Sequence, residues 1–406
     1  IDPGTEPNGY FIDGGSKTQA DLIVMNSNSL VIHDEGGAST VGIRNGLIDN
    51  TGGILDFTTH NLELGNVAIR GGELMQQTGA TLPVIATDTS FDGVRIDVPS
   101  LNVSGNTLFR NVEIVSSTGI EGDTIVVEGA LTLAPGVVVG SEGVGFDLQE
   151  DIELSGGGTL TLSTLTGAAG KTVTIDSGYT LQLGTGSVGG DNLRFVNNGL
   201  IDFFDTETFF DPFGGSNATE PGVLNRGTIT STGGIAIIMD AAVDNLGGVM
   251  PLEDVILQDA TIRGGSLGFA GPMGLVDSRT GVDGNATLEN VKLLGAVAAS
   301  NPGAVLTLRG QIDGDFDVDG SGGLEVRIDG DVTLLDDDQG AGGFTSNLFL
   351  ATLSATSPLD RLTIGEGVFL DEVTLGATSP ILVNRGQTNF SGELSSPFVP
   401  IGTLPA

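Results

Sequence analysis

Apolar side chains recur at every second position through most of the chain, in runs of three to five residues. Leu22 and Val24, Leu30 and Ile32, Val112 and Ile114, Leu131 and Leu133, Leu160 and Leu162, and Leu324, Val326 and Ile328 are clear cases. A period of two places these side chains on one face of a strand, whereas a helical stripe would recur every three or four residues. The runs are bounded by Gly or Asn-Gly, and no capped segment of ten or more residues carries a helical stripe. The pattern predicts an all-β chain of short strands.

The runs are themselves repeated. Leu252-Glu253-Asp254-Val255-Ile256-Leu257 returns as Leu288-Glu289-Asn290-Val291-Lys292-Leu293 and Leu370-Asp371-Glu372-Val373-Thr374-Leu375, with relatives starting at Leu64, Phe91 and Phe109. The step from Phe91 to Phe109 is 18 residues and that from Leu252 to Leu288 is 36, while the 27 from Leu64 to Phe91 does not fit. A second phrase, Asn45-Gly46-Leu47-Ile48 followed by Thr51-Gly52-Gly53-Ile54, is echoed by Asn225-Arg226-Gly227-Thr228-Ile229 followed by Thr232-Gly233-Gly234-Ile235, and both lead to Ile-Arg-Gly-Gly, at Ile69 and Ile262. Asn and Gly accept positive φ at corners, and stacked Asn side chains can hydrogen-bond to one another. Short strands, such corners and a unit near 18 to 20 residues predict a parallel β-helix of roughly 18 to 20 rungs at ~4.8 Å, on the order of 90 Å long. Antiparallel sandwiches are the competing all-β answer, but they use longer strands and need no repeats.

The expected organisation is an extended arm or cap over residues 1–20, a continuous solenoid over 21–390 with an inserted loop at about 203–221, and an extended tail over 391–406. Pro and Gly enrich the first segment, and Gly, Pro and Ser the last.

Composition then narrows function. Fifty-two acidic residues against 15 basic ones give a net charge of −37. Twelve Arg and three Lys scattered singly exclude nucleic acid as a partner, since phosphate binding needs clustered cations. An acidic coat favours solubility in brine, divalent cations and cationic partners. With 39% hydrophobic residues the chain has enough apolar surface to fold. It contains no Cys, so stacking and not disulfides must hold it. No run approaches the ~18 apolar residues of a membrane helix, and the start at Ile1 without a basic, apolar leader suggests a processed segment.

Few residues suggest chemistry. Asp315-Phe316-Asp317-Val318-Asp319-Gly320 resembles the opening of a calcium loop, but Val326 stands where the twelfth-position Glu belongs. Alternation of Ile312, Phe316 and Val318 with Asp313, Asp315, Asp317 and Asp319 instead puts four carboxylates on the solvent face of one strand, where calcium would relieve their repulsion. Asp336-Asp337-Asp338 reads as a surface turn, and His33 and His60 are solitary. Phe203, Phe204, Phe209, Phe210 and Phe213 form an aromatic cluster, read either as an internal ladder or as an exposed partner contact. Abundant Asp could supply a glycosidase pair anywhere, so the signal carries no specificity. Isolated basic residues and the lack of Trp argue against a uronate lyase or a sugar-stacking groove, and no Ser–His pairing is visible.

Asn225-Arg226-Gly227-Thr228-Ile229, Asn45-Gly46-Leu47-Ile48 and the Leu288 phrase resemble the degenerate repeats of secreted bacterial β-helix surface proteins of the filamentous-haemagglutinin and autotransporter-passenger type. That resemblance implies a right-handed parallel β-helix, exported and displayed outside the cell, without an active site. The expected function is a non-enzymatic extracellular structural protein that forms a homo-oligomer or head-to-tail polymer in a filament, sheath or surface layer. A surface adhesin for a glycan or protein partner is the alternative, and a polysaccharide-degrading enzyme or phage-type spike the third. No cofactor is required on this reading, with calcium as the candidate ion.

Overall fold

The computed structural model describes residues 40–57, 61–76, 83–184, 186–190, 193–204, 207–212, 220–268, 279–336 and 346–385, together with short strand segments outside that span. The described residues are all-β with no helix, hence none long and apolar enough to cross a membrane. Parallel strands coil into a β-solenoid of about 14 turns, fewer than the 18 to 20 expected. The turns are longer and less uniform than the repeated phrase implied. A residue meets its partner one turn on after 17 residues at Val84–Leu101 but after 26 at Ile262–Leu288.

Two compact units divide the chain, Ile1–Asp202 and Phe203–Ala406. In the first, each turn contributes three short stretches of strand. Strand Thr40–Asp49 bends at Asn45 and so serves two faces, and Ile54–Asp56 serves the third. Inward side chains stack in register from turn to turn. Ile43, Leu64, Ala86 and Val103 form one column. Ile48, Ile69, Phe91, Phe109, Val127 and Leu148 form a second. The Phe91 and Phe109 rings meet edge to face, with centroids 5.5 Å apart. Leu55, Leu74, Ile96, Ile114 and Leu133 form the third. All of these side chains are buried, each burial contributing roughly 1.5–3 kcal/mol for the larger ones. At the N-terminal side, strand Gly9–Asp13 pairs in parallel with Thr40–Asp49 and antiparallel with Gly4–Glu6.

The second unit follows the same plan. Ile238, Leu257, Val282 and Ala299 stack on one face, Ile262, Leu288, Leu308, Ile328 and Ala355 on another.

The repeated phrase turns out to encode a corner. Nine described non-glycine residues adopt positive φ: Asn45, Asn66, Asp88, Asn111, Asp240, Asp259, Asn290, Leu350 and Glu372. At every one of them the residue two before and the residue one after are buried. A left-handed residue breaks the in-out alternation, so both flanking apolar side chains point inward while the chain changes direction. Leu64-Gly65-Asn66-Val67, Phe109-Arg110-Asn111-Val112 and Leu288-Glu289-Asn290-Val291 are such corners. Leu252-Glu253-Asp254-Val255 is not, because Asp254 opens the strand Asp254–Gln258. Asn66 and Gly93 mark different corners of a turn, since Leu64 pairs with Ala86 and Phe91 with Ile69, which explains the discordant gap of 27.

Candidate functional site

Side-chain chemistry concentrates at these corners. Where two Asn are stacked, amide meets amide: Asn66 Nδ2 donates to Asn45 Oδ1 at 2.7 Å. Elsewhere an Asn or Asp at one corner accepts the backbone N–H that follows a glycine one turn on. Asp88 receives Asn106 N–H at 2.9 Å, Asn111 receives Ala130 at 3.2 Å, Asp259 receives Asn285 at 2.9 Å and Asn290 receives Gln311 at 3.0 Å. These bonds fasten one turn to the next where ladder pairing is interrupted.

A buried amide holds a second kind of corner. Asn50 Nδ2 donates to Gly53 O and Glu73 O, both at 3.1 Å, and Asn245 Nδ2 donates to Ser266 O at 3.1 Å. A Cβ on Gly72 would stand 2.0 Å from Asn50 O, and one on Gly265 2.3 Å from Asn245 O. The second glycine of each Ile-Arg-Gly-Gly phrase therefore exists to approach this Asn. The structurally equivalent phrases are Asp49-Asn50-Thr51-Gly52-Gly53 and Asp244-Asn245-Leu246-Gly247-Gly248, and not the Asn45 and Asn225 phrases paired by sequence.

Immediately before these corners lies a ladder of alternating charge. In the first unit Asp49, Arg70, Asp92, Arg110 and Glu128 occupy one outward column. Arg110 pairs with Asp92 at 3.9 Å and with Glu128 through two guanidinium N–H groups. In the second unit Asp244, Arg263, Glu289, Arg309 and Asp329 repeat the arrangement, with Arg263–Glu289 at 3.5 Å and Arg309–Asp329 at 2.6 Å. Just after the corner, Arg95 lies between Glu73 at 3.1 Å and Glu113 at 3.8 Å. Exposed pairs of this kind contribute about 0.2–1 kcal/mol each, so their larger effect is on register. Sequence reading left these cations isolated; the coil places them between carboxylates. The available signal was positional, because Arg70, Arg110, Arg263 and Arg309 each precede a positive-φ residue, at Gly71, Asn111, Gly264 and Gly310.

Two carboxylates in the second unit are held well ionised. Glu325 is shifted down by the Ser354 hydroxyl and by Arg327, against partial desolvation. At Asp329 desolvation pushes up, but bonds from Arg309 and Thr356 outweigh it and the net shift is down. Asp317 moves the other way, raised by partial withdrawal from water and then by Asp319.

The four candidate calcium ligands alternate with the buried Ile312, Gly314, Phe316 and Val318. Asp317 and Asp319 face outward on the strand Phe316–Asp319, in register with Asn347 and Phe349 on the next turn. On the preceding turn Asp313 stands in register with Lys292 and Asp317 with Ala296, and Asp313 accepts a bond from Gln311 Nε2 at 3.2 Å. Asp315 precedes that strand, and its carbonyl accepts the Gly295 N–H at 2.9 Å. Among the described residues no three His, Asp or Glu side chains gather as a metal site. His33, His60, Asp337 and Asp338 lie outside the described residues.

The aromatic cluster is divided. Phe203 and Phe210 are fully buried and meet edge to face at 5.7 Å, whereas Phe204 and Phe209 are 37% and 38% exposed. Phe213 lies outside the described residues. Phe209 stacks on Ile237, and Glu207 on Ile235, itself exposed.

No protein-family model matches this chain, and comparison with curated proteins and with solved structures returned no similar protein.

Proposed function

We propose that this chain is a non-enzymatic structural protein that self-assembles end to end, outside the cell, into a filament, sheath or surface layer, as its likeness to secreted right-handed β-helix surface proteins implies. One observation carries the reading. The outermost described turns end on parallel strands, Ile381–Asn384 in register with Arg361–Ile364 and Ile23–Met25 in register with Thr40–Asp49. A parallel strand at the end of a coil carries backbone N–H and C=O groups along its outer edge, and such an edge templates addition of another strand. The interior is filled by aliphatic columns and Arg95, Arg110, Arg263 and Arg309 are taken up in ion-pair ladders, which suits a scaffold.

Small-angle scattering and electron microscopy test this over a concentration series, with and without calcium. Lengthening particles are expected. A monodisperse monomer at the highest concentration in both conditions overturns the proposal.

A second reading, adhesion to a glycan or protein partner, draws on the exposed rings of Phe204 and Phe209 beside Ile235. Phe204→Ser with Phe209→Ser removes binding to a surface partner without altering the fold if this reading holds, and unchanged binding rejects it.

A further inference from the structure

The charged corners form a checkerboard. In the first unit the column before the corner runs Asp49, Arg70, Asp92, Arg110, Glu128, and the column after it runs Glu73, Arg95, Glu113. Signs therefore alternate across the corner as well as along it, with Arg70 beside Glu73, Asp92 beside Arg95 and Arg110 beside Glu113. The second unit repeats this with Glu289 beside Lys292 and Arg309 beside Asp313, where Lys292 and Asp313 stand in register on successive turns.

We propose that this strip is a side-by-side contact between copies of the chain, a proposal that rests on the self-assembly reading and adds a lateral direction to it. The pattern is self-complementary. A second copy turned to face the strip about a two-fold axis parallel to it, with no displacement along it, exchanges the two columns and sets Arg70 opposite Glu73, Asp92 opposite Arg95 and Arg110 opposite Glu113. Cations are scarce in the chain, and the strips concentrate them. The chain carries a net charge of −37, and five of its 12 arginines, Arg70, Arg95, Arg110, Arg263 and Arg309, lie in the two strips.

The strip also reaches outward. Side chains of Arg95, Glu113, Arg110 and Arg309 are 50%, 47%, 44% and 41% exposed. A guanidinium has five N–H donors, and partners at 3.8 and 3.9 Å, as for Arg95–Glu113 and Arg110–Asp92, leave room for a carboxylate of a neighbour.

Salt dependence follows from two ranges of force. Net repulsion between acidic copies acts over a Debye length of about 10 Å at 0.1 M salt, whereas facing ion pairs act at contact. Lateral association therefore rises as salt screens the repulsion, passes through a maximum, and falls again toward about 1 M, where the pairs are screened too.

Electron microscopy and light scattering from about 0.02 to about 1 M salt test the proposal on the wild type, Arg110→Glu, Arg309→Glu, the double variant, and Arg279→Glu. Arg279 is exposed on strand Arg279–Asp283 and outside the checkerboard. Wild type and Arg279→Glu are expected to show particles of double or greater width at intermediate salt. The double variant is expected at single width, with lateral association weakened by at least about tenfold. Double-variant particles as wide as wild type, or wild-type particles of single width at every salt, overturn the contact. Should the Arg variants lose their circular-dichroism melt, the wild-type profile alone decides, because width that rises monotonically to the highest salt overturns it as well. Particle length reports the end-to-end reading and width reports this one, so the two fail separately.

Discussion

Asn290 Oδ1 accepts the N–H of Gln311 one turn on at 3.0 Å, and a Cβ on the intervening Gly310 would stand 2.1 Å from that oxygen. Asn and Gly are thus two halves of one joint: the amide that fastens the turns occupies the space a side chain would need. Gly310→Ala meets both this clash and the positive φ of 67°, expected to cost about 3 kcal/mol in total. Asn290→Gly loses one hydrogen bond, about 1 kcal/mol, and relieves its own left-handed backbone. With the amide gone, Gly310→Ala retains only its backbone strain. Urea midpoints of the two single variants and the double are therefore expected to be sub-additive by about 1 kcal/mol or more, and strict additivity would refute the joint.

The buried amide of Asn50 makes a sharper demand. It is fully buried and donates to two carbonyls, Gly53 O and Glu73 O. Asn50→Ala removes both bonds, although Gly53 O keeps the Glu73 N–H at 2.9 Å, an expected loss of about 2 kcal/mol. Asn50→Asp is expected to be worse near neutral pH, since it also buries a charge facing carbonyl oxygens, and to recover partly in acid, where the carboxyl is protonated and can donate one bond. Thermal melts of both variants at about pH 7 and about pH 4 check the order. Asn50→Asp matching Asn50→Ala at both pH values would count against the assigned bonds.

The architecture was legible because alternation and corner chemistry are local. Leu64, Asn66 and Val67 announce strand, corner and core within four residues. The charge ladders were not legible because they depend on register. With turns of 17 residues at Val84–Leu101 and 26 at Ile262–Leu288, no fixed spacing could bring Arg70 to Asp92 or Arg263 to Glu289. The same ignorance hid the neighbours of the acidic residues and the burial of the rings. Asp313 and Asp317 read as one face of one strand; bends at Gly314 and Asp315 interrupt the strand, yet both keep one register to the preceding turn, Asp313 on Lys292 and Asp317 on Ala296. Phe203, Phe204, Phe209 and Phe210 alternate in and out only once their two separate strands are known.

Two corners lack the residue their backbone favours. Leu350 and Glu372 hold φ of 53° and 52°, where Asn or Asp stands at the other seven described non-glycine positions. A branched apolar residue there is strained by roughly 1–2 kcal/mol, and Leu350 gains little in return because its side chain is 38% exposed. Leu350→Asn is expected to stabilise the second unit by about 1 kcal/mol, and Leu350→Gly by somewhat less after the entropy of the unfolded chain is counted. Its N–H bond to Asp371 O at 3.1 Å is untouched by either change. A lowered urea midpoint for Leu350→Asn would show that the leucine side chain matters more than its backbone.

Asp317 offers a test of sign. Partial withdrawal from water, reinforced by Asp319, raises its carboxyl above the ordinary range. A raised folded-state value means the native protein binds this proton more tightly than the unfolded chain does, so stability falls as pH rises from the unfolded to the folded value. Above that window the ionised carboxylate opposes folding; below it the group is neutral in both states and indifferent. Asp317→Asn is therefore expected to raise the melting temperature near pH 7 and leave it unchanged near about pH 3. Glu325 and Asp329 behave oppositely. Their values are lowered by Ser354 and Arg327 in one case, and by Arg309 and Thr356 acting against desolvation in the other. Their contribution is present above the unfolded carboxylate range and is lost as pH falls through the depressed folded values. Glu325→Gln should accordingly destabilise at about pH 7 and lose its effect in strong acid. Melting temperatures of Asp317→Asn, Glu325→Gln and wild type across that range check both signs together, and a Glu325→Gln curve that stabilises at neutral pH would contradict the bonds drawn to that carboxylate.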